Sequence, residues 1–438
     1  MLRKYFITPI ILILFLQTNI GFGQQESELY KKLINLPGVE VTTMEAYDHY
    51  TEAYDIFVEQ PVDHKNPNGL KFKQHVYLSH TDFNLPVVLN NNGYGMSDNS
   101  TYELTAIIKS NQIKVEHRYF GKSIPDTEDW QYMNTEQASD DLYKIIQLFK
   151  QIYPDNKFVS TGISKGGQTT NFLKYYHPDA VDVWVPYVAP LNFTREDPRI
   201  YEHLKTVGTK ECRDKVTAFQ RAMLANRDAI IPMMQEYAKE NGYTYRLGWD
   251  ISYEFAVLEY SFSFWQWHEE NGCEKIPSPD SSPEELFTYF KERGEMRYIS
   301  DQSRTDNGAF MYQAYTELGY YGYELEDFKD LLVGCKGDVV SSDILFEGGD
   351  KLEFDYELMP KINKFIQEEG NNFLYIYGEL DTWSASKVDP GPNTNAVRMV
   401  KKNGSHRTRI KTFEGEELEK IYTTLEDWLD IRIEREKK

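Results

Sequence analysis

Gly162-Ile163-Ser164-Lys165-Gly166-Gly167 sets a G-x-S-x-G serine directly after the apolar run Phe158-Val159-Ser160-Thr161 and ahead of a helical segment from Gln168 to Tyr176. A sharp strand-to-helix turn lifts a serine hydroxyl clear of a sheet and aims backbone N–H groups at what it attacks. The context therefore predicts a nucleophile elbow. By itself the pattern arises by accident in roughly one chain of ten this long at average glycine and serine usage. The competing reading is a glycine-rich turn with Ser164 as an N-cap, and the rest of the chain has to decide between them.

From about Tyr54 onward, short strand-like runs alternate with amphipathic helices. Tyr54 to Val58 and Phe72 to Leu78 read as strands joined by the turn-rich stretch Asp63 to Gly69. Val87-Val88-Leu89 leads into the glycine-bearing loop Asn90 to Gly95, and Ile113 to Arg118 follows as a further strand. Thr135 to Ile152 carries Ala138, Leu142, Ile145, Ile146 and Phe149 at helical spacing, with Asn134 or Thr135 as its cap. Val181 to Val188 is another buried strand. Such alternation implies an α/β protein with a mostly parallel, doubly wound sheet.

Between Leu191 and Asp343 the alternation stops, and helical, aromatic-rich text (Phe255 to Glu269, Pro283 to Glu295, Asn307 to Leu318) reads as an inserted helical cap. A helix over Tyr356 to Glu369, a strand over Phe373 to Tyr377 and a last helix over Glu416 to Ile433 restore the pattern. The expected organisation is a signal peptide over 1–23, a first part of the α/β domain over 24–190, the cap over 191–343 and the second part over 344–438.

The leader has Arg3 and Lys4 ahead of the apolar Ile10 to Leu16 and ends in small residues near Gly23, which predicts export to a periplasmic or extracellular site. No other stretch is long enough to span a bilayer. Loss of Arg3 and Lys4 leaves 46 of the 48 basic residues against 69 acidic ones, about −23, a surface that repels nucleic acid and anionic lipid. About 415 residues then remain. The three cysteines match no metal-binding spacing; an oxidising compartment allows one disulfide, for which Cys212 with Cys273 is the favoured pair. Nothing implies a metal or another cofactor.

A serine nucleophile needs a base, usually histidine, oriented by a carboxylate, and in doubly wound hydrolases these follow in the order Ser, Asp or Glu, His. His177 ends the helix that follows the serine, and His203 and His268 fall in the insertion. His406, in the turn Asn403-Gly404-Ser405-His406 before a strand-like Ile410 to Phe413, is the expected base. Asp381 stands just beyond the strand Phe373 to Tyr377, on the sheet edge where catalytic groups collect, with Glu379 and Asp389 as competitors. The oxyanion donors expected are the Lys165 backbone N–H and one from Gly93 or Tyr94.

Ser164 in its glycine setting, Val115 to Ser123, Glu136-Gln137-Ala138 to Asp141, Gly378 to Trp383 and Gly404-Ser405-His406 together resemble the secreted bacterial tripeptidyl and prolyl aminopeptidases of the serine-peptidase class. More distantly they are similar to the lysosomal Pro-Xaa carboxypeptidases and dipeptidyl peptidases. The resemblance spans nearly the whole mature chain, and Lys165 after the serine leans towards the aminopeptidases. Thr382 after Asp381, where relatives often have proline, and the basic Arg407 and Arg409 depart from the pattern. The resemblance implies an α/β-hydrolase fold with a helical cap, peptide substrates, and release of short peptides from free N-termini. A cap that closes one end of the cleft suits an exopeptidase, and Glu116 and Glu379 are expected partners for a substrate ammonium. Trp265, Trp267 and Tyr320 can line a proline pocket or form cap core. An esterase with the same triad, or an inactive binding protein of hydrolase shape, are the alternatives.

Overall fold

The computed structural model describes residues 27–127, 129–267 and 272–435; the expected signal peptide over 1–23 and His268 lie outside the described residues. Eleven strands are formed among them: β1 Val39–Met44, β2 Glu52–Pro61, β3 Lys71–His80, β4 Val87–Asn91, β5 Asn111–Val115, β6 Phe158–Ile163, β7 Val183–Tyr187, β8 Gly322–Glu324, β9 Val339–Ser341, β10 Leu374–Gly378 and β11 Val397–Lys401. Nine of these make one sheet in the order β1-β2-β3-β5-β4-β6-β7-β10-β11. The pairs from β1 through to β5 are antiparallel, and those from β5 through to β11 are parallel. This is the α/β-hydrolase sheet.

Burial follows from position in the sheet. Strands β4, β5, β7 and β10 are buried along their whole length, because helices cover both faces. Along β7 the side chains alternate: Trp184 joins Phe149, Phe172 and Ile362 in one core layer, while Val183 and Val185 join Leu104, Ile421 and Leu425 in the other. The first layer is closed by helices Thr135–Lys150, Lys165–Tyr176 and Leu358–Glu369, the second by Glu103–Ile108 and Gly415–Leu429. Asn134 caps the first of these helices by accepting from the Gln137 N–H at 2.9 Å.

Between β7 and β10 the chain forms helices Pro198–Thr206, Lys210–Ala225, Arg227–Asn241, Trp249–Gln266, Pro283–Phe290 and Asp301–Gln313, with the β8–β9 ribbon. Their shared core includes Phe219, Tyr253, Phe255, Leu286 and Phe290. Cys212 and Cys273 are joined as a disulfide, and Cys335 is a buried thiol.

Several boundaries differ from expectation. Strand β5 ends at Val115, because Glu116 to Ser123 turns back on itself through bonds such as Ser123 N–H to Phe120 C=O. The segment Ile410–Thr412 is a single 3-10 turn, and the strand that precedes His406 is β11. That strand carries Arg398 and Lys401 and buries only Met399 fully, as an edge strand can. The ribbon β8–β9 interrupts a segment expected to be wholly helical.

Candidate active site

Strand β6 runs straight into helix Lys165–Tyr176 with one residue, Ser164, at the corner, and this forces Ser164 to φ 55° and ψ −121°. A non-glycine residue there costs on the order of 1–3 kcal/mol, which the surrounding packing has to offset. The packing is close: a Cβ on Gly166 would collide with the Asn91 carbonyl of β4, so only glycine lets the new helix start against the sheet. Ser164 faces a cleft of about 630 Å³ between the sheet edge and the inserted helices.

Gly93, at φ 78°, lies against the Lys165–Gly166 peptide so tightly that a Cβ would overlap the Gly166 nitrogen. The loop after β4 is thus pressed onto the elbow. Lys165 fastens it further: its buried Nζ donates to the Gly93 carbonyl at 2.9 Å and lies 5.7 Å from the Tyr94 ring centre and 5.5 Å from that of Phe120. Burial holds that amine well below its usual pKa. The Tyr94 phenol reaches the Ser164 hydroxyl, and burial pushes its pKa up to about 12, so it stays protonated. Gly93, Tyr94, Ser164 and Lys165 are therefore brought together.

Asp381 begins the turn after β10, where its Oδ1 accepts from the Trp383 N–H at 3.1 Å. Its Oδ2 accepts from His406 Nδ1 at 2.8 Å, with Asp381 fully buried and His406 nearly so. With Nδ1 occupied by the carboxylate, Nε2 is left as the basic nitrogen. The His406 backbone N–H donates to the Gln266 carbonyl at 2.9 Å, and the Trp267 ring stands edge-on to the imidazole with centres 5.3 Å apart. Gln266 and Trp267 line the cleft together with Ser164, so the imidazole is fixed by the cleft wall itself.

The competing residues are engaged elsewhere. Asp389 is exposed and pairs with Arg398. His177 binds Asp140 at 2.7 Å and stacks on Tyr143. His203, expected only as a residue of the insertion, packs behind the acid: it hydrogen-bonds the Leu380 backbone and feels the Asp381 charge, while burial lowers its pKa.

Glu116 and Glu379 do not line the cleft, which corrects their expected role. Glu116 is buried and accepts from the Met96 and Lys122 N–H groups and the Ser123 hydroxyl at 2.8–2.9 Å. It holds the loop after β5 against the loop after β4. Glu379 accepts from the Asn403 N–H at 2.9 Å and so stabilises the turn before His406. Of the aromatic candidates, Trp267 and Tyr320 line the cleft, whereas Trp265 is core beneath Gly208.

Three acids that sequence reasoning passed over do line it: the exposed Asp306, 3.8 Å from Arg297, and two buried ones. Glu259, on helix Trp249–Gln266, accepts from the Tyr321 hydroxyl at 3.1 Å and the Tyr323 hydroxyl at 2.7 Å. Glu295 accepts from the Ser263 hydroxyl at 2.5 Å through Oε1. Burial pushes their pKa values up to about 8 and about 7, and the proximity of Glu295 adds to the rise at Glu259. The signal was present: Glu259 follows Phe255-Ala256-Val257-Leu258, where a carboxylate has to enter the core.

Comparison with known proteins matches residues 24–429 to the family model described as PS-10 peptidase S37. The chain is 29% identical over 417 residues to the prolyl tri/tetrapeptidyl aminopeptidase of Streptomyces mobaraensis, covering 93% of this chain and 86% of that protein. It is 27% identical over 150 residues to the probable serine protease EDA2 of Arabidopsis thaliana, covering 31% and 30%. The solved structure of VinJ aligns over 89% of this chain and 98% of its own, at 12% identity and a TM-score of 0.39.

Proposed function

The chain belongs to the PS-10 peptidase S37 family and is a serine peptidase, and from that premise we propose that it is an exported aminopeptidase that releases tripeptides or similarly short peptides from free N-termini. The observation that carries the reading is the buried Asp381–His406 pair held against Gln266 and Trp267, which line the same cleft as the strained Ser164. Likeness to a prolyl tri/tetrapeptidyl aminopeptidase over most of both chains supports the substrate class.

In this mechanism Ser164 Oγ attacks the scissile carbonyl while His406 Nε2 takes its proton. Asp381 keeps the imidazole in the required tautomer and stabilises the imidazolium, without itself taking the proton. The tetrahedral oxyanion is met by the Lys165 N–H and by the Gly93–Tyr94 segment, with Tyr94 OH beside the serine as an added donor. His406 then gives its proton to the departing amine. The N-terminal fragment is left as an ester on Ser164, and a water activated by His406 releases it. Export follows from the charged and apolar leader ending near Gly23, and a disulfide in the insertion suits an oxidising compartment. No helix among the described residues is long and apolar enough to cross a membrane.

Profiling the mature chain against matched peptides with free and acetylated N-termini tests the substrate class. Cleavage confined to the free peptides, with short N-terminal fragments as products, is expected. Equal cleavage of both, or cuts at internal bonds, would contradict it.

A further inference from the structure

Helix Trp249–Gln266 buries two glutamates five residues apart, and they are treated differently. Glu254 is fully engaged: it accepts from the Val333, Gly334 and Cys335 N–H groups and pairs with Arg227 at 2.6 Å. Such satisfaction is what burial of a carboxylate normally requires. Among the described residues Glu259 receives only phenol hydroxyls, and Glu295 receives the Ser263 hydroxyl on Oε1 and the influence of its own backbone N–H. Glu295 is 3% exposed, and its Oε2 has no partner among the described residues. Arg293, in the same cleft wall, reaches Glu292 at 3.9 Å and lies over the Tyr289 ring. Two neighbouring acids thus line the substrate cleft, one of them with an oxygen whose hydrogen bond is missing.

We propose that Glu295, with Glu259 behind it, seats the free α-ammonium of the peptide substrate. The assignment rests on the aminopeptidase reading above. An α-ammonium carries one positive charge and only donors, and this wall offers carboxyl acceptors whose ionised form a bound ammonium favours. Tyr298 and Tyr320, tied hydroxyl to hydroxyl at 2.9 Å, add aromatic faces that favour a cation. An acetylated N-terminus brings a neutral amide instead, leaves both acids unpaired and is rejected. Both acids stand on the insertion while Ser164 stands on the sheet, so the span between them acts as a ruler for the released fragment. Glu295 is therefore a specificity-determining residue that contacts substrate away from the scissile bond.

The test uses Ala-Ala-Pro p-nitroanilide, free and N-acetylated, with the wild-type mature chain and the Glu295→Gln and Glu259→Gln variants. Glutamine keeps the size of the side chain and an acceptor for Ser263, and the rate of Ser164 labelling by a fluorophosphonate reports an intact elbow. For Glu295→Gln we expect kcat/KM on the free peptide to fall about 100-fold, through KM, with labelling and cleavage of the acetylated peptide unchanged. Glu259→Gln should show a smaller loss of the same kind. Variants that label normally and retain the wild-type preference for the free peptide would overturn the ammonium seat alone. A wild-type chain without that preference would overturn the aminopeptidase reading, and the seat with it. An acetylated peptide with lysine in first place that is cleaved as well as the free one would show that the acids read any ammonium, which also overturns the assignment.

Discussion

At the scale of single residues, the site depends on atoms held where local preference would not put them. Ser164 is kept at positive φ, and Gly93 leans on the elbow with no room for a Cβ. Gly93→Ala should therefore move the loop after β4 away from Ser164 and remove an oxyanion donor. Steady-state kinetics should show kcat reduced about 100-fold or more with KM little changed, as for loss of one such donor elsewhere. An unchanged kcat would remove this loop from the reaction. The turns that hold Ser164, Asp381 and His406 could be placed from sequence because each adjoins a recognisable element. Glu116 and Glu379 were misread for the complementary reason. Whether a turn carboxylate looks into the cleft or back at its own backbone depends on neighbours remote in the chain, as Met96 and Asn403 are here.

At the scale of elements, the central strands were legible because burial on both faces makes them continuously apolar. Edge strand β11 was not, since its Arg398 and Lys401 are allowed by solvent on one side. Helix Trp249–Gln266 is apolar nearly all round, which marked it as buried but hid the purpose of its glutamates. Those glutamates give the helix a pH dependence. The groups facing them are the Tyr323 hydroxyl, the Glu295 charge and the Tyr321 hydroxyl on Glu259, and Ser263, its own backbone N–H and the Arg293 charge on Glu295. Both carboxyls have folded pKa values above the usual 4.5, at about 8 and about 7. The protonated forms fit the fold better, so their stabilising contribution is complete below about pH 4.5 and is lost as pH rises through 7 to 8. Buried His80, His117 and His203, whose pKa values burial lowers, act in the opposite sense between pH 5 and about 6.5, so the comparison with a variant isolates the acid. In thermal melting of the substrate-free chain, wild-type Tm should fall relative to that of Glu259→Gln between pH 5 and pH 8.5; a Tm difference that stays constant or moves the other way would contradict the placement of Glu259.

At the scale of the whole molecule, the proposed function assigns the chemistry to the sheet and the choice of substrate to the insertion. Strands β4, β6, β10 and β11 lead into the Gly93–Tyr94 loop, Ser164, Asp381 and the turn of His406 at one edge, as their parallel order requires. The insertion closes over that edge and brings aromatic rings, the buried acids Glu259 and Glu295, and the exposed Asp306 to the cleft. Where the chain returns to the sheet could be read from the pattern of strands and helices; how the insertion folds over the edge could not, because it depends on helix packing without local signals. The central claim is that the N-terminal part of a peptide passes through an ester on Ser164. It is tested most directly by mixing the mature chain with a free tripeptide ester, quenching in acid within the first turnovers and mapping the adduct by mass spectrometry. The account predicts one tripeptidyl group on the peptide that contains Ser164, absent in Ser164→Ala, which should also lose turnover. An adduct on another residue, or continued hydrolysis by Ser164→Ala, would contradict it.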